Sequence, residues 1–354
     1  MSIRVLIVED SPVVTELLCH ILGSDPALLV VGTATNGAAA LEAVPILKPD
    51  VITMDISMPL MDGYEATRKI METNPVPIVI VSVSVDPGEV ATTFRALEEG
   101  ALAAVTKPVG IGHSEYAETA KNLLETVKLM SEVKVVRRWP LARRKLSASV
   151  APPIEQRLPA KRDLKIIAMG ASTGGPTVLK TILSKIPESF PLPILIVQHI
   201  SPGFIDGFAQ ALTNCCKLPV CIPTSGEMLL SGHVYLAPDR MHMGVGPAGR
   251  ITLSNDPPEN GMRPSVSYLF RCVAEVFGPE SVGVLLTGMG RDGADGLKSM
   301  RDKGAFTIAQ DEESCVVFGM PAEAIRVNAA SRIFSPDQVV SFLTDIAETN
   351  PDGL

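Results

Sequence analysis

Short apolar runs alternate with amphipathic stretches along most of the chain. Ile3-Arg4-Val5-Leu6-Ile7-Val8 is rich in β-branched residues and predicts a buried parallel strand. Pro12 suits the first turn of a helix, and Val13, Leu17, Leu18 and Ile21 follow at helical spacing. Residues 29–34 predict a second strand and residues 37–47 a helix. Residues 51–54, 77–83 and 103–105 predict three more strands. Strands alternate with helical stretches five times within about 125 residues, which is the pattern of a doubly wound α/β sheet.

The pattern then changes. Residues 116–135 read as one helix, with Leu123, Leu124, Val127 and Met130 on a face. Behind it come Pro140, Pro152, Pro153 and Pro159, with the pairs Arg137-Arg138 and Arg143-Arg144, which predict an exposed tether. Alternation resumes with a strand over 164–169, the small-residue turn Gly170-Ala171-Ser172-Thr173-Gly174-Gly175-Pro176, and a helix over 177–186. Residues 194–197 and 281–287 read as further buried strands, and Val234-Tyr235-Leu236-Ala237 as part of a hairpin. A second doubly wound, mainly parallel α/β unit is expected.

Length and charge sharpen this division. A chain of 354 residues suits two domains. Residues 1–127 carry 7 basic and 17 acidic residues, residues 128–165 carry 11 and 3, and residues 166–354 carry 13 and 19. The net charge of −8 therefore splits into two acidic blocks around a basic step. We expect one domain over 1–125, a basic Pro-containing linker over 126–163 and a second domain over 164–350. An acidic chain with 15 aromatic residues is a poor nucleic-acid coat, and no nucleic-acid partner is expected. The six cysteines have no zinc-ligand spacing, and no signal peptide or 18-residue apolar run occurs. A reduced, cytoplasmic protein without membrane insertion is expected.

The predicted strand ends carry the chemistry, since ligands of open α/β sheets bind outside the carboxyl ends of the strands. In the first block those ends deliver Glu9, Asp10, Asp55, Ser82 and Lys107. Three gathered carboxylates repel one another unless a cation neutralises them, and hard oxygen ligands suit Mg²⁺. A carboxylate beside Mg²⁺ and a lysine is set up to accept a phosphoryl group. The segments Val8-Glu9-Asp10-Ser11, Met54-Asp55 through Asp62-Gly63, Val81-Ser82 and Thr106-Lys107-Pro108 resemble a flavodoxin-like two-component receiver domain. That resemblance implies Asp55 as phospho-acceptor, with Glu9 and Asp10 beside it on Mg²⁺. It also implies Ser82 as switch hydroxyl, Lys107 on the phosphoryl group and a sensor histidine kinase as donor. Receivers usually carry an aromatic residue three positions before the lysine, where this chain has Ala104.

In the second block Ser172 sits on a strand-to-helix turn, where free N–H groups and the helix dipole favour negative charge. No lysine follows at P-loop spacing and no G-x-G-x-x-G occurs, whereas Gly170, Ser172 and Gly174 stand at nucleophile-elbow spacing. Of five histidines, His199 alone ends a parallel-type strand of that block. The apolar run 281–287 leads into a turn bearing Asp292, with Asp295 as a rival nearer a helix start. Ser172 as nucleophile, His199 as base and Asp292 as its orienting carboxylate make a triad.

The segments Gly-Ala-Ser-Thr-Gly-Gly-Pro (170–176), Val-Gln-His-Ile (197–200), Leu-Ala-Pro-Asp (236–239), Arg-Pro-Ser-Val (263–266), Leu-Thr-Gly-Met-Gly-Arg-Asp-Gly (286–293) and Gly-Met-Pro (319–321) resemble the chemotaxis methylesterase family, CheB. The resemblance implies hydrolysis of glutamate γ-methyl esters on methyl-accepting chemoreceptors, release of methanol and deamidation of certain receptor glutamines. It implies backbone N–H groups near Thr173 and Met289 as oxyanion donors, and Arg263 to Val266 along the substrate crevice. No cofactor is expected for the ester chemistry, and the chain is expected to be monomeric. A receiver tethered to a hydrolase is expected to cover the crevice until it is phosphorylated. A DNA-binding output and a non-catalytic scaffold are the alternatives, and the absence of a helix-turn-helix signature disfavours the first.

Overall fold

The structure is a computed structural model that describes residues 2–82, 95–133, 135 and 163–349. Of the basic linker expected over 126–163, residues 134 and 136–162 lie outside the described residues.

Five parallel strands form the first sheet: β1 (Ile3–Val8), β2 (Leu28–Ala34), β3 (Val51–Met54), β4 (Ile78–Ser82) and β5 (Ala103–Thr106). Their order is β2-β1-β3-β4-β5, the flavodoxin-like winding. Helices α1 (Pro12–Gly23), α2 (Gly37–Leu47), α3 (Gly63–Thr73) and α4 (Tyr116–Ser131) belong to the same unit. Their starts have local causes. Pro12 needs no N–H partner at the first turn of α1. Asn36 and Asp62 cap α2 and α3 by accepting from Ala39 N and Glu65 N at 2.9 and 2.8 Å. Leu123, Val127 and Met130 of α4 are buried with Val5, Ile7 and Leu18, so this helix runs through residue 125 as part of the first core.

Seven parallel strands form the second sheet. They are β6 (Ile166–Ala171), β7 (Ile194–Gln198), β8 (Val220–Cys221), β9 (Val234–Leu236), β12 (Ser281–Leu285), β13 (Phe306–Gln310) and β14 (Arg332–Phe334). The order is β14-β13-β12-β6-β7-β9-β8. A separate antiparallel pair joins β10 (His242–Gly246) to β11 (Arg250–Ser254). Helices α5 (Gly175–Leu183), α6 (Ile205–Thr213), α7 (Val266–Phe277), α8 (Ala294–Asp302), α9 (Met320–Arg326) and α10 (Pro336–Thr349) complete the unit. The hairpin expected at Val234–Ala237 is corrected here: β9 lies parallel between β7 and β8, and the antiparallel pair follows it in the chain. A three-residue apolar run carries no period, so burial on both faces decided its place.

Winding reverses beside β6. The chain passes from β6 to β7 on one side and returns later to place β12 on the other. That switch point brings the ends of β7, β6 and β12 side by side, with Ala171 opposite Gln198 and Leu285 opposite Gly170. Below it, Ile167, Ile196 and Val284 are fully buried, each such side chain contributing about 1.5–3 kcal/mol. Helix α7 packs over the same strands, and a Cβ on Gly170 would collide with the side chain of Val266 at its first turn. Gly170→Ala should therefore destabilise the fold by about 1–3 kcal/mol, as overpacking does, read as a shift in the urea unfolding midpoint.

Candidate active site

Ser172 follows β6 directly, its N–H held by Thr287 O at 3.0 Å. Gly174, at φ 78°, makes the left-handed turn into α5 that a residue with a Cβ resists. Gln198, buried at the end of β7, donates from Nε2 to Ser172 O at 2.9 Å and to His199 O at 2.7 Å. One amide thus ties the serine turn to the histidine strand. Thr287 Oγ1, fully buried, donates to Thr173 O at 3.0 Å and accepts from Val317 N at 3.0 Å.

His199 Nε2 lies 2.9 Å from Asp292 Oδ2. A carboxylate only accepts, so Nε2 carries the proton and Nδ1 keeps a lone pair. Nδ1 is buried without a hydrogen-bond partner among the described residues. The two ring nitrogens are thus exchanged relative to the serine-protease arrangement, in which Nδ1 faces the carboxylate. Ser172 and His199 line one cavity, and no hydrogen bond joins Ser172 Oγ to the ring. Such contacts often tighten only when substrate arrives. Among the described residues, the N–H groups of Thr173 and Met289 have no acceptor.

Asp292 is 3% exposed. Its Oδ1 accepts from Ser265 Oγ at 2.8 Å, Ser267 N at 3.1 Å and Gly293 N at 2.9 Å, and its Oδ2 from Val266 N at 2.7 Å. The donors from Ser265, Val266 and Ser267 are the cap and first turn of α7, where the helix dipole also favours an anion. Burial works against the ionised carboxylate, but the His199 hydrogen bond and charge and the Val266 and Ser265 donors outweigh it. The pKa lies well below the usual carboxylate range. Asp295, the rival, pairs with Arg291 on the surface of α8 at 2.8 Å. Ser265 and Val266, expected along the crevice, are fully buried behind Asp292, and Arg263 donates to the carbonyls of Asn255 and Asp256. Sequence reasoning missed Gln198, Ser265 and Thr287 as supports. A Ser ahead of an apolar helix is a cap signal, but nothing local says which carboxylate it meets.

At the first sheet, Lys107 Nζ lies 2.8 Å from Glu9 Oε2 and 3.0 Å from Asp55 Oδ2. Burial raises the Glu9 pKa. Burial also opposes the Lys107 charge, but hydrogen bonds to Glu9 and Asp55 outweigh it, and that pKa is raised. Carboxylate oxygens of Glu9, Asp10 and Asp55 lie within 4.8 Å of one another, with Glu9 and Asp55 buried. Such a set of hard donors fits Mg²⁺. Ser82 ends the neighbouring strand, and its carbonyl accepts from Lys107 N at 2.7 Å.

The two units meet over Ser172. Leu97, Ala101, Ala104 and Thr126 of the first line the same cavity as Ser172 and His199 of the second. Ser201 Oγ, two residues past His199, donates to Ala104 O at 2.9 Å. Arg240 pairs with Glu118 at 3.1 Å, and Lys180 pairs with Glu98.

An α/β sheet with an acidic pocket, set over an α/β sheet with a Ser, His and Asp at its switch point, has the architecture of a hydrolase joined to a receiver domain. The family models of the response regulator receiver domain and the CheB methylesterase match residues 5–115 and 167–343. The chain belongs to the CheB methylesterase family and carries its receiver domain. It is 54% identical, over 97% of both chains, to the protein-glutamate methylesterase/protein-glutamine glutaminase of Nitrosospira multiformis. It is 52% identical, over 98% of both, to a protein of the same name from Syntrophus aciditrophicus. The crystal structure of the Thermotoga maritima CheB methylesterase catalytic domain matches with TM-score 0.50 and 35% identity, over 52% of this chain and 98% of that one. Among the described residues no helix is long and apolar enough to cross a membrane.

Two outcomes follow from the Asp292 cradle. Ser265→Ala, which removes a cap and a donor to a charge, should cost about 1–3 kcal/mol in urea unfolding. Because the Asp292 pKa is lowered on folding, its stabilisation is complete above the unfolded value of about 4 and is lost as pH falls through the folded value. Asp292→Asn should therefore flatten the acid side of a plot of melting temperature against pH.

Proposed function

We propose that this chain hydrolyses glutamate γ-methyl esters on chemoreceptors, releasing methanol, and deamidates receptor glutamines by the same acyl chemistry. The carrying observation is the His199 Nε2–Asp292 Oδ2 contact of 2.9 Å beside Ser172, in a chain whose full-length relatives bear both activities in their names.

In this reading Ser172 Oγ attacks the ester carbonyl carbon while His199 Nδ1 takes the hydroxyl proton. A C–O bond forms, and the carbonyl electron pair moves onto oxygen. The N–H groups of Thr173 and Met289 receive that oxyanion, a kind of contact worth about 10²–10³ in rate per donor. Asp292 stabilises the imidazolium. The intermediate collapses, the ester C–O bond breaks, and the alkoxide leaves with the proton from His199 as methanol. Water then attacks the acyl-serine and gives its proton to His199. The C–O bond to Ser172 breaks, Ser172 Oγ takes the proton from His199, and the carboxylic acid leaves and gives its remaining proton to solvent. With glutamine the leaving group is ammonia.

The receiver governs access. Asp55 takes the phosphoryl group from a sensor histidine kinase, and Lys107 leaves Glu9 to contact it. Mg²⁺, held by Glu9, Asp10 and Asp55, would neutralise the charge of the incoming phosphoryl group. Ser82 turns toward the phosphoryl group, and the β4–β5 edge repacks. That edge ends in the Ala104 region that lies over Ser172. The division into a receiver over 1–125, a linker over 126–163 and a catalytic unit over 164–350 belongs to this reading, with α4 running on to Ser131. The reaction is placed in the cytoplasm.

Ser172→Ala should lower methanol release from methylated receptor membranes by at least about 10³-fold while Asp55 still accepts phosphate. Asp55→Asn should leave basal release intact and abolish its rise with a phosphodonor. An equal rise in that variant overturns the regulatory half of the reading.

A further inference from the structure

The nucleophile is shielded by the receiver and not sealed. Ser172 itself is half-buried, and the cavity it lines with His199 opens to solvent and measures about 240 Å³. That is many times the space one water needs. Among the described residues no Asp, Glu, Lys or Arg lines it. Among the described residues its receiver wall is apolar but for Asn122 and Thr126, with Leu97, Leu102, Leu129 and Met130 beside the short Ala104. Position 104, where an aromatic ring would fill space, holds a methyl group.

The His199–Asp292 pair is meanwhile already formed, beside Ser172. Asp292 holds His199, and among the described residues Nδ1 is without a hydrogen-bond partner. The Thr173 and Met289 N–H groups are without acceptors among the described residues. What the receiver withholds is room for a protein chain around the scissile ester.

From this we infer that the unphosphorylated full-length protein hydrolyses small uncharged esters, and that the receiver sorts substrates by size. The inference rests on the triad and gating reading above. A short acyl ester enters the seam and Ser172 Oγ bonds to its carbonyl carbon. The ester C–O bond breaks, and the alcohol leaves with the proton carried by His199. Water releases the acid and restores Ser172. A glutamyl ester on a receptor brings its main chain and neighbours, and waits for the domains to part.

The test uses the full chain with p-nitrophenyl acetate, with and without beryllium trifluoride and Mg²⁺, and Ser172→Ala as the blank. Methylated receptor membranes are assayed in parallel. Turnover of the small ester should depend on Ser172 and change by less than about threefold on activation, while receptor demethylation rises tenfold or more. No Ser172-dependent turnover at rest, or a rise matching that of the receptor, overturns the inference. A receptor rate that ignores activation counts against the gating reading alone, since small-ester turnover is read separately. Thr126→Trp supplies a second arm, placed on the partly exposed face of α4. It should cut resting small-ester turnover several-fold and lose that effect on activation; an unchanged resting rate counts against entry through the seam.

Discussion

An ionised carboxylate with almost no exposure to water must be repaid in hydrogen bonds, and Asp292 shows how much of the second unit is arranged to do so. Its donors come from the cap and first turn of α7, from Gly293 beside it and from His199 across the crevice. Each donor fixes a different piece of backbone. The carboxylate therefore joins α7, the turn into α8 and the end of β7 at one point. The His199 ring takes its orientation and tautomer from that joint, and so inherits the rigidity of a packed helix.

The supports around Ser172 follow the same logic in neutral form. Gln198 bridges two carbonyls, one on each side of the crevice. Thr287 satisfies Thr173 O and Val317 N from a fully buried hydroxyl. Buried polar groups of this kind cost stability when left unpaired, so their partners cannot drift independently. The serine turn stays in place because two polar side chains, Gln198 and Thr287, need it there.

The receiver reaches this machinery through a thin seam. Among the described residues the two units meet through a hydrogen bond from Ser201 Oγ to Ala104 O, the ion pairs Arg240–Glu118 and Lys180–Glu98, a cavity, and buried apolar residues such as Leu97 and Val178. Exposed ion pairs contribute little, typically 0.2–1 kcal/mol. Those pairs therefore add little to the hold between the two units, next to the apolar contacts beside them. The same thinness leaves space at the nucleophile.

Much of this was legible in the sequence. Period and strand length marked both α/β units, and the strand ends named Glu9, Asp10, Asp55, Ser82, Lys107, Ser172, His199 and Asp292 as the residues to watch. Strand-end residues are legible because a parallel sheet always presents its carboxyl ends together. The three-residue strand β9 was misread as a hairpin arm, since so short an apolar run has no period of its own. Ser265 was expected on the crevice wall and stands instead behind Asp292. Which nitrogen of His199 meets the carboxylate, which donors surround it and which receiver residues stand beside Ser172 were settled only by tertiary structure. Those facts depend on distances between segments tens of residues apart, and local pattern encodes residue type and period but not the packing that sets such distances.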